Sequence, residues 1–489
     1  MTQAQDKADL IPELSRPANG QPASPWLFGY LILITAAVPL ESFLITIVAR
    51  MHAPEQLLFA MQFSIEASAY LVLAWVVLAR LIIKKTFIRT PIDAPLFTVL
   101  AVVTVAIAVN SAPLIGSVMN LRSAMRYVAV FYLVVNLGLS RKQINTILHV
   151  ILISGGIQVL AGVIQWIVGY NLKVWMLPHT IDIEIAGQSR NFALVERGRE
   201  IGSLFGTLGD TLYYGLFLLV VLTVALPRVR WSRPWLLASL PFLLFTIAYS
   251  YSRAAVIITG MTIIAYLGHL LGIRRVAAVC CIAVAMGLVM LGGSLLLETS
   301  GGTYRHPRHG RRSIVTNMTN IFSAEYLERS KRQRLGTILG VAPTTLINAP
   351  LIGYGPNQQH TLMQINEEPK TRLYKTLTKE GFEDVYWVAL LCYTGIAGVL
   401  AVVWLGVRMA WSCAMIARTG QLDSTLRWAG LAGLCIVLQA AVLMWFNRVP
   451  EIRSFSFYLW LLPALAYTAA SARSAEDEPP LSSASQPTP

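Results

Sequence analysis

The chain has 489 residues, of which 55% are hydrophobic and only 13% are charged. Its mean hydropathy of +0.59 excludes a soluble globular protein of this length, because soluble domains carry about twice that share of charged residues. The formal net charge of +14 does not indicate nucleic-acid binding, since most basic residues are spread over short loops between apolar runs.

The chain begins with a polar stretch that contains Pro and Ser, residues 1–25, followed by about twelve apolar runs that are long enough to cross a bilayer as helices. The first stretch lacks the charged region, short apolar core and cleavage site of a signal peptide, so it predicts a cytoplasmic tail. The seventh run is short and is a candidate re-entrant segment. The runs are Trp26–Val48, Leu57–Ile83, Ala94–Asn110, Leu121–Leu139, Ile144–Val168, Leu208–Leu226, Trp235–Tyr249, Ala254–Leu271, Val276–Leu297, Val385–Val407, Trp428–Phe446 and Phe455–Ala470. The predicted fold is an all-α polytopic membrane protein.

Alternate connecting loops carry the basic residues, among them Lys84, Arg141, Arg228, Arg274 and Arg408. With twelve spans these loops fall on one side together with both termini, and the positive-inside rule makes that side cytoplasmic. Spans 1–9 then occupy residues 26–297, spans 10–12 occupy 385–470, and 471–489 form a disordered cytoplasmic tail. Two long loops lie outside, at about 169–207 and, between spans 9 and 10, at 298–384.

No metal or cofactor is expected. The five cysteines fall in or beside apolar runs, and neither a CxxC motif nor a Cys/His spacing suggests a metal site. The outer loops also lack a DxD-like acidic pair that would hold a divalent cation.

Arginine recurs at the predicted outer face in five separate segments. An arginine near the membrane is costly unless it is used, and its fork of donors suits phosphate oxygens. The alternative for each one is that it snorkels to lipid headgroups or pairs with an acid such as Glu200 or Glu451. Glu66, midway along the second run, should face the bundle or pair with a polar neighbour. The arginines are Arg122 with Arg126, Arg197 with Arg199, Arg253, Arg332 with Arg334, and Arg448 with Arg453.

Four segments in this order resemble the O-antigen ligase and O-antigen polymerase family of bacterial polysaccharide assembly. The resemblance covers most of the chain, from about Arg122 to Arg453, and rests on the order of the segments more than on any one of them. They are Arg199 to Gly206, Tyr251 to Ala254, Arg334 with the turn Pro350-Leu-Ile-Gly-Tyr-Gly-Pro356, and Asp384 to Gly398.

The resemblance implies a glycosyltransferase of the bacterial inner membrane. Such enzymes transfer a glycan from undecaprenyl pyrophosphate to an acceptor hydroxyl at the periplasmic face, where the acceptor is a lipid-linked chain or the lipid A core. Membrane lipids are the other expected partners, and nucleic acid is not one. Family arginines hold the pyrophosphate; carried over, these are Arg199, Arg253 and Arg334, supported by Arg122, Arg126, Arg332 and Arg453.

The expected base departs from the ligase pattern. Asp384 stands where a ligase has His, and Val385 where Asn is usual, which favours the polymerase branch of the family. A carboxylate serves as a general base when its surroundings bring its pKa near the working pH. Glu383 and His360 are the other candidates. The alternative for Asp384 is a helix N-cap, and for His360 a solvated loop histidine.

Gly353, Gly355 and Pro356 are expected to shape a turn. Two other functions stay open: transfer of the glycan to protein, and a transporter or flippase that moves an anionic lipid along an arginine-lined path. Transporters usually place their sites near the bilayer midplane, whereas the arginines here gather at one face.

Overall fold

A computed structural model describes residues 24–83, 87–176, 182–185, 188–191, 203–229, 234–250, 252–270, 338, 341–366, 385–419 and 424–476. The ninth predicted span and most of the predicted large outer loop lie outside these ranges.

Within them the protein is mostly helical. A two-stranded antiparallel ladder, β1 (Asp182–Ile185) with β2 (Gln188–Asn191), departs from the all-α prediction and lies in the stretch predicted as the first outer loop. The helices are α1 (Pro25–Ala37), α2 (Glu41–Arg50), α3 (Glu55–Ile82), α4 (Asp93–Val109), α5 (Leu114–Met125), α6 (Val128–Leu137), α7 (Arg141–Val168), α8 (Tyr170–Met176), α9 (Thr211–Ala225), α10 (Pro234–Tyr249), α11 (Arg253–Leu270), α12 (Ala342–Asn348), α13 (Gln358–Asn366), α14 (Tyr386–Thr419), α15 (Ser424–Leu443) and α16 (Arg453–Glu476).

Six helical segments of the described residues are long and apolar enough to cross a membrane, or seven if the bent pair α5–α6 counts as one span. The class of membrane protein therefore stands, but the count of about twelve is not confirmed. Three further apolar helices, at Asp93–Val109, Ala238–Tyr249 and Ala254–Ile264, are shorter than a full crossing.

Three of the predicted runs form interrupted helices in the described residues, and one of these interruptions lies in α14 at Gly395. A 3₁₀ turn, Val38–Leu40, separates α1 from α2, and it contains Pro39, which cannot donate a helical hydrogen bond. The fourth run divides into α5 and α6, which meet at an angle of 47°. The bend matters for the site because Arg122 lies in α5 and Arg126 follows it at the bend.

The centre of the bundle is formed by α9 and α16, whose residues are buried on nearly all sides. A helix that is apolar all round needs neighbours on every face. Aromatic rings fill the space between them, with Phe217 and Tyr458 at 5.5 Å between centroids. The α9 N-terminus is capped by Asp210, whose carboxylate accepts the N–H groups of Leu212 and Tyr213.

Candidate functional site

Helix α14 is broken at Gly395, where the backbone has φ 64° and ψ −165°. In an unbroken helix the N–H groups of residues 396 and 397 would bond to the carbonyls of residues 392 and 393. At this break the two N–H groups instead donate to the turn at 350–356: Ile396 to Pro350 O at 2.8 Å, and Ala397 to Leu351 O at 3.2 Å.

The same turn also serves the two carbonyls on the other side of the break. Tyr354 N donates to Cys392 O at 2.7 Å, and Gly355 N donates to Tyr393 O at 3.0 Å. Four helical groups thus find four backbone partners in the turn. This matters in a bilayer, where a backbone group without a partner costs several kcal/mol.

Glycine allows the turn at 350–356 to insert against the backbone of α14 at the break. A Cβ on Gly353 would lie 2.5 Å from Cys392 O, and a Cβ on Gly395 would overlap the carbonyl of Leu351. Gly353 and Gly355 also have φ of 67° and 93°, which other residues rarely adopt. Gly353, Gly355 and Pro356 therefore lie in a turn that bonds to the backbone of α14 at the break.

A long apolar cavity of about 310 Å³ runs beside the break, between α4, α5, α14, α15 and α16. We call it the groove. Its wall on α14 extends from Tyr386 to Ala410, and its other walls are mostly aliphatic. Val403, Val407 and Leu438 line it and are 41%, 57% and 52% exposed, so the groove opens sideways at the surface of the bundle.

The polar side chains of the groove gather where α14 and α16 begin. Asn120, Tyr386 and Glu451 line the groove there, and Pro356 of the inserted turn joins them. Asn120 Nδ2 donates to Pro356 O at 3.1 Å, which ties α5 to the turn. The turn therefore forms part of the wall at the polar end of the groove.

The opposite face of α5 carries a buried ionic cluster. Arg122 donates to both carboxylate oxygens of Glu66, at 2.5 and 2.6 Å. Arg126 Nε lies 3.4 Å from Glu66, and Arg453 Nη1 lies 2.6 Å from Glu41. We call these five residues the arginine–glutamate cluster. The expectation that Glu66 pairs with a polar neighbour is confirmed.

The cluster holds one more positive charge than negative, with three guanidinium groups and two carboxylates. Phe63 supports two of the arginines, whose guanidinium carbons lie 4.3 Å (Arg122) and 5.8 Å (Arg453) from its ring centroid. Arg126 is only 8% exposed, and its Nε makes no hydrogen bond to the described residues. A buried excess of positive charge favours an anion nearby.

The structure brings Arg122, Arg126 and Arg453 together, and none of the three is among the residues that line the groove. His360 follows the inserted turn at the start of α13, where its backbone N–H donates to Asn357 Oδ1 at 3.0 Å. Its Nε2 is buried and makes no hydrogen bond to the described residues.

The structure does not describe the side chains of the remaining predicted site residues. Arg253 begins α11, but its side chain is outside the description. Outside the described residues altogether are Arg199, Arg332, Arg334, Glu383 and Asp384.

Sequence reasoning missed Glu41, Asn120 and the position of Glu451 at the groove. Glu41 and Asn120 had a readable signal, because each is a polar residue inside or next to an apolar run. The signal for Glu451 was weaker, since an outer turn is an ordinary place for an acid. Among the described residues no group of three or more His, Cys, Asp or Glu side chains could hold a metal ion.

No protein-family model matches this chain. No curated protein is similar to it at a significant level either.

Proposed function

We propose that the chain is a membrane glycosyltransferase that uses a glycan linked to undecaprenyl pyrophosphate as donor and extends or transfers it at the outer face of the bacterial inner membrane. The proposal includes the twelve-span topology with a periplasmic loop. The observation that carries it is the groove: an apolar channel, open to the side, whose polar end includes Asn120 of α5, while the arginine–glutamate cluster lies on the opposite side of that helix.

The shape of the groove suits a segment of a lipid chain. Its wall on α14 has two parts, one before the break from Tyr386 to Thr394 and one after it from Val402 to Ala410, and both consist mostly of apolar side chains. A lipid chain can enter through the exposed side at Val403 and Val407, whereas a water-soluble substrate gains little from aliphatic walls.

The proposed reaction requires two functions at the polar end of the groove. Charge that develops on the departing pyrophosphate must be stabilised, and an acceptor hydroxyl must be oriented and deprotonated. The positive excess of the arginine–glutamate cluster supports the first role, together with the predicted Arg199, Arg253 and Arg334. Arg122 and Arg453 already bind carboxylates, so in this proposal they act by charge and by holding α5 rather than as open phosphate ligands.

The direct test uses the full chain in nanodiscs with repeat units linked to undecaprenyl pyrophosphate as the only glycan. A polymerase should yield longer lipid-linked chains and release undecaprenyl pyrophosphate. A ligase should yield product only when lipid A core is added, and a protein glycosyltransferase only with an acceptor protein. If none of these acceptors gives product, the proposed enzyme activity is wrong.

A transporter or flippase remains the second candidate, because the groove wall on α14 continues well beyond the polar end. The same nanodisc samples separate the two functions. Movement of labelled lipid-linked glycan between leaflets without any change in its covalent structure would favour the transporter.

Filling the groove should abolish product. Gly406 lines the groove, and a Cβ added to it meets no atom within 4 Å. A Gly406→Leu variant should therefore fold normally but lose at least about tenfold of its activity, since its side chain occupies the space of the lipid chain. Product formation per folded molecule is the measurement.

Gly156→Leu is the matched control for this variant. Gly156 lies in α7 away from the groove lining, and it also has nothing within 4 Å of an added Cβ. We expect wild-type activity from it. Equal activity in both leucine variants would remove the groove as the donor site.

A further inference from the structure

Glu451 occupies a place that no other described acid shares. It ends the 3₁₀ turn Val449–Glu451, directly before α16, and it lines the polar end of the groove. The other buried acids lie away from the groove: Glu41 and Glu66 bind arginines, and Asp210 caps α9. Glu451 is thus the one described carboxylate that lines the groove.

The Glu451 side chain is partly exposed where it lines the groove. Its side chain is 25% exposed, and its ion pair with Arg448 Nη1 is 4.0 Å long, which is the outer limit of such a contact. Tyr386 and Tyr393 line the same groove and are in electrostatic contact with it. Arg453, two residues along the chain, is directed to Glu41 instead.

Other side chains that line the groove are of the kinds that bind a sugar. Asn120 is a polar group on the facing helix, and Tyr386 and Trp387 present aromatic rings at the start of α14. An aromatic ring beside hydrogen-bonding side chains is a common surface for a sugar, because the ring packs on its apolar face. The polar end of the groove can therefore hold an acceptor as well as the donor.

We propose that Glu451 is the base that takes the proton of the acceptor hydroxyl. This inference rests on the proposed function. As the hydroxyl oxygen bonds to C1 of the donor sugar, the bond from C1 to the pyrophosphate oxygen breaks, and the pyrophosphate leaves with the electron pair. The proton passes to the Glu451 carboxylate and then to water. Asp384, the base suggested by the family resemblance, precedes Tyr386 by two residues and is the rival in the test.

The test compares Glu451→Gln, Glu451→Asp, Arg448→Gln and Asp384→Asn in the nanodisc polymerisation assay, each as the monodisperse folded fraction. Glu451→Gln should reduce the turnover rate at saturating donor by about 100-fold or more, the usual contribution of a general base, with little change in the half-saturating donor concentration. Glu451→Asp keeps a carboxylate and should retain more activity than Glu451→Gln. Arg448→Gln should stay near wild type.

Three results would overturn the inference. Glu451→Gln could work within about threefold of wild type, Arg448→Gln could lose as much activity as Glu451→Gln, or Glu451→Asp could be no better than Glu451→Gln. In the first case, inactivity of Asp384→Asn would identify Asp384 as the base. If Glu451→Gln does not fold, Glu451→Asp and Arg448→Gln are compared with wild type instead. Full activity in Glu451→Asp together with no activity in Arg448→Gln would mean that the ion pair only supports the fold. A wild-type protein without any transfer would instead refute the proposed function itself.

Discussion

Replacing Gly395 with alanine should expel the turn at 350–356 from its place beside α14. Alanine disfavours φ 64° with ψ −165°, a combination that only glycine adopts readily, and its Cβ would overlap the Leu351 carbonyl. The strain alone is of order 1–3 kcal/mol. Four backbone hydrogen bonds between turn and helix are lost with it, each worth about 0.5–1.5 kcal/mol net. The variant should show a much lower midpoint of thermal unfolding in detergent.

Limited proteolysis supplies a second measurement for this variant. The broken helix can respond by forming its own regular hydrogen bonds, in which case the protein keeps its helices but the turn becomes accessible to protease. The control is Gly406→Ala on the same helix, where a Cβ meets nothing within 4 Å and alanine favours the helix by roughly 0.5–1 kcal/mol. A Gly395→Ala protein with wild-type stability and an uncleaved turn would show that the insertion is not formed.

Removing the Glu66 carboxylate should be the most damaging single charge change. Glu66→Ala leaves Arg122 and Arg126 without their counter-ion, and breaking a buried pair by removing one partner costs about 3–5 kcal/mol. We expect little folded protein in the membrane and a clear loss of thermal stability in detergent. The double variant Glu66→Leu with Arg122→Leu should recover part of the loss, because only Arg126 then lacks a partner.

Arg448→Gln is the control for the charge change. Its pair with Glu451 is 4.0 Å long and its side chain is 34% exposed, so the loss of this pair should cost no more than about 1 kcal/mol. If Glu66→Ala were as stable as Arg448→Gln, the cluster would contribute little to the fold, and its arginines would be available to an anionic ligand.

The helices were largely readable from the sequence, because each apolar run is a local signal. The predicted run Ile144–Val168 became α7, with its capping box at Ser140 and Gln143. Span counting was less secure, since α4 and α10 form as helices but are too short for a full crossing by length alone. Apolar composition shows burial, but it does not distinguish a crossing helix from a shorter one packed inside the bundle.

The site was readable only in part. The signature turn predicted a change of chain direction at Gly353 and Gly355, but not that its partner would be a helix about 40 residues further on. Likewise, the spacing of Arg122 and Arg126 placed them on one helix face without revealing Glu66 as their partner, because pairing between helices depends on how α3 and α5 pack. The groove has no sequence signal at all, since it is the space left between five helices.

The insertion of the turn into α14 depends on backbone atoms, and this sets where the protein tolerates substitution. Pro350 and Leu351 take part through their main-chain carbonyls, and the Leu351 side chain is 67% exposed, so many side chains should be accepted at position 351. Gly353 and Gly395 have no such freedom, because any added atom meets the backbone on the other side. A map of mutational tolerance should therefore show two intolerant glycines beside permissive neighbours, and drift in this segment would preserve the contact while erasing most of its sequence identity.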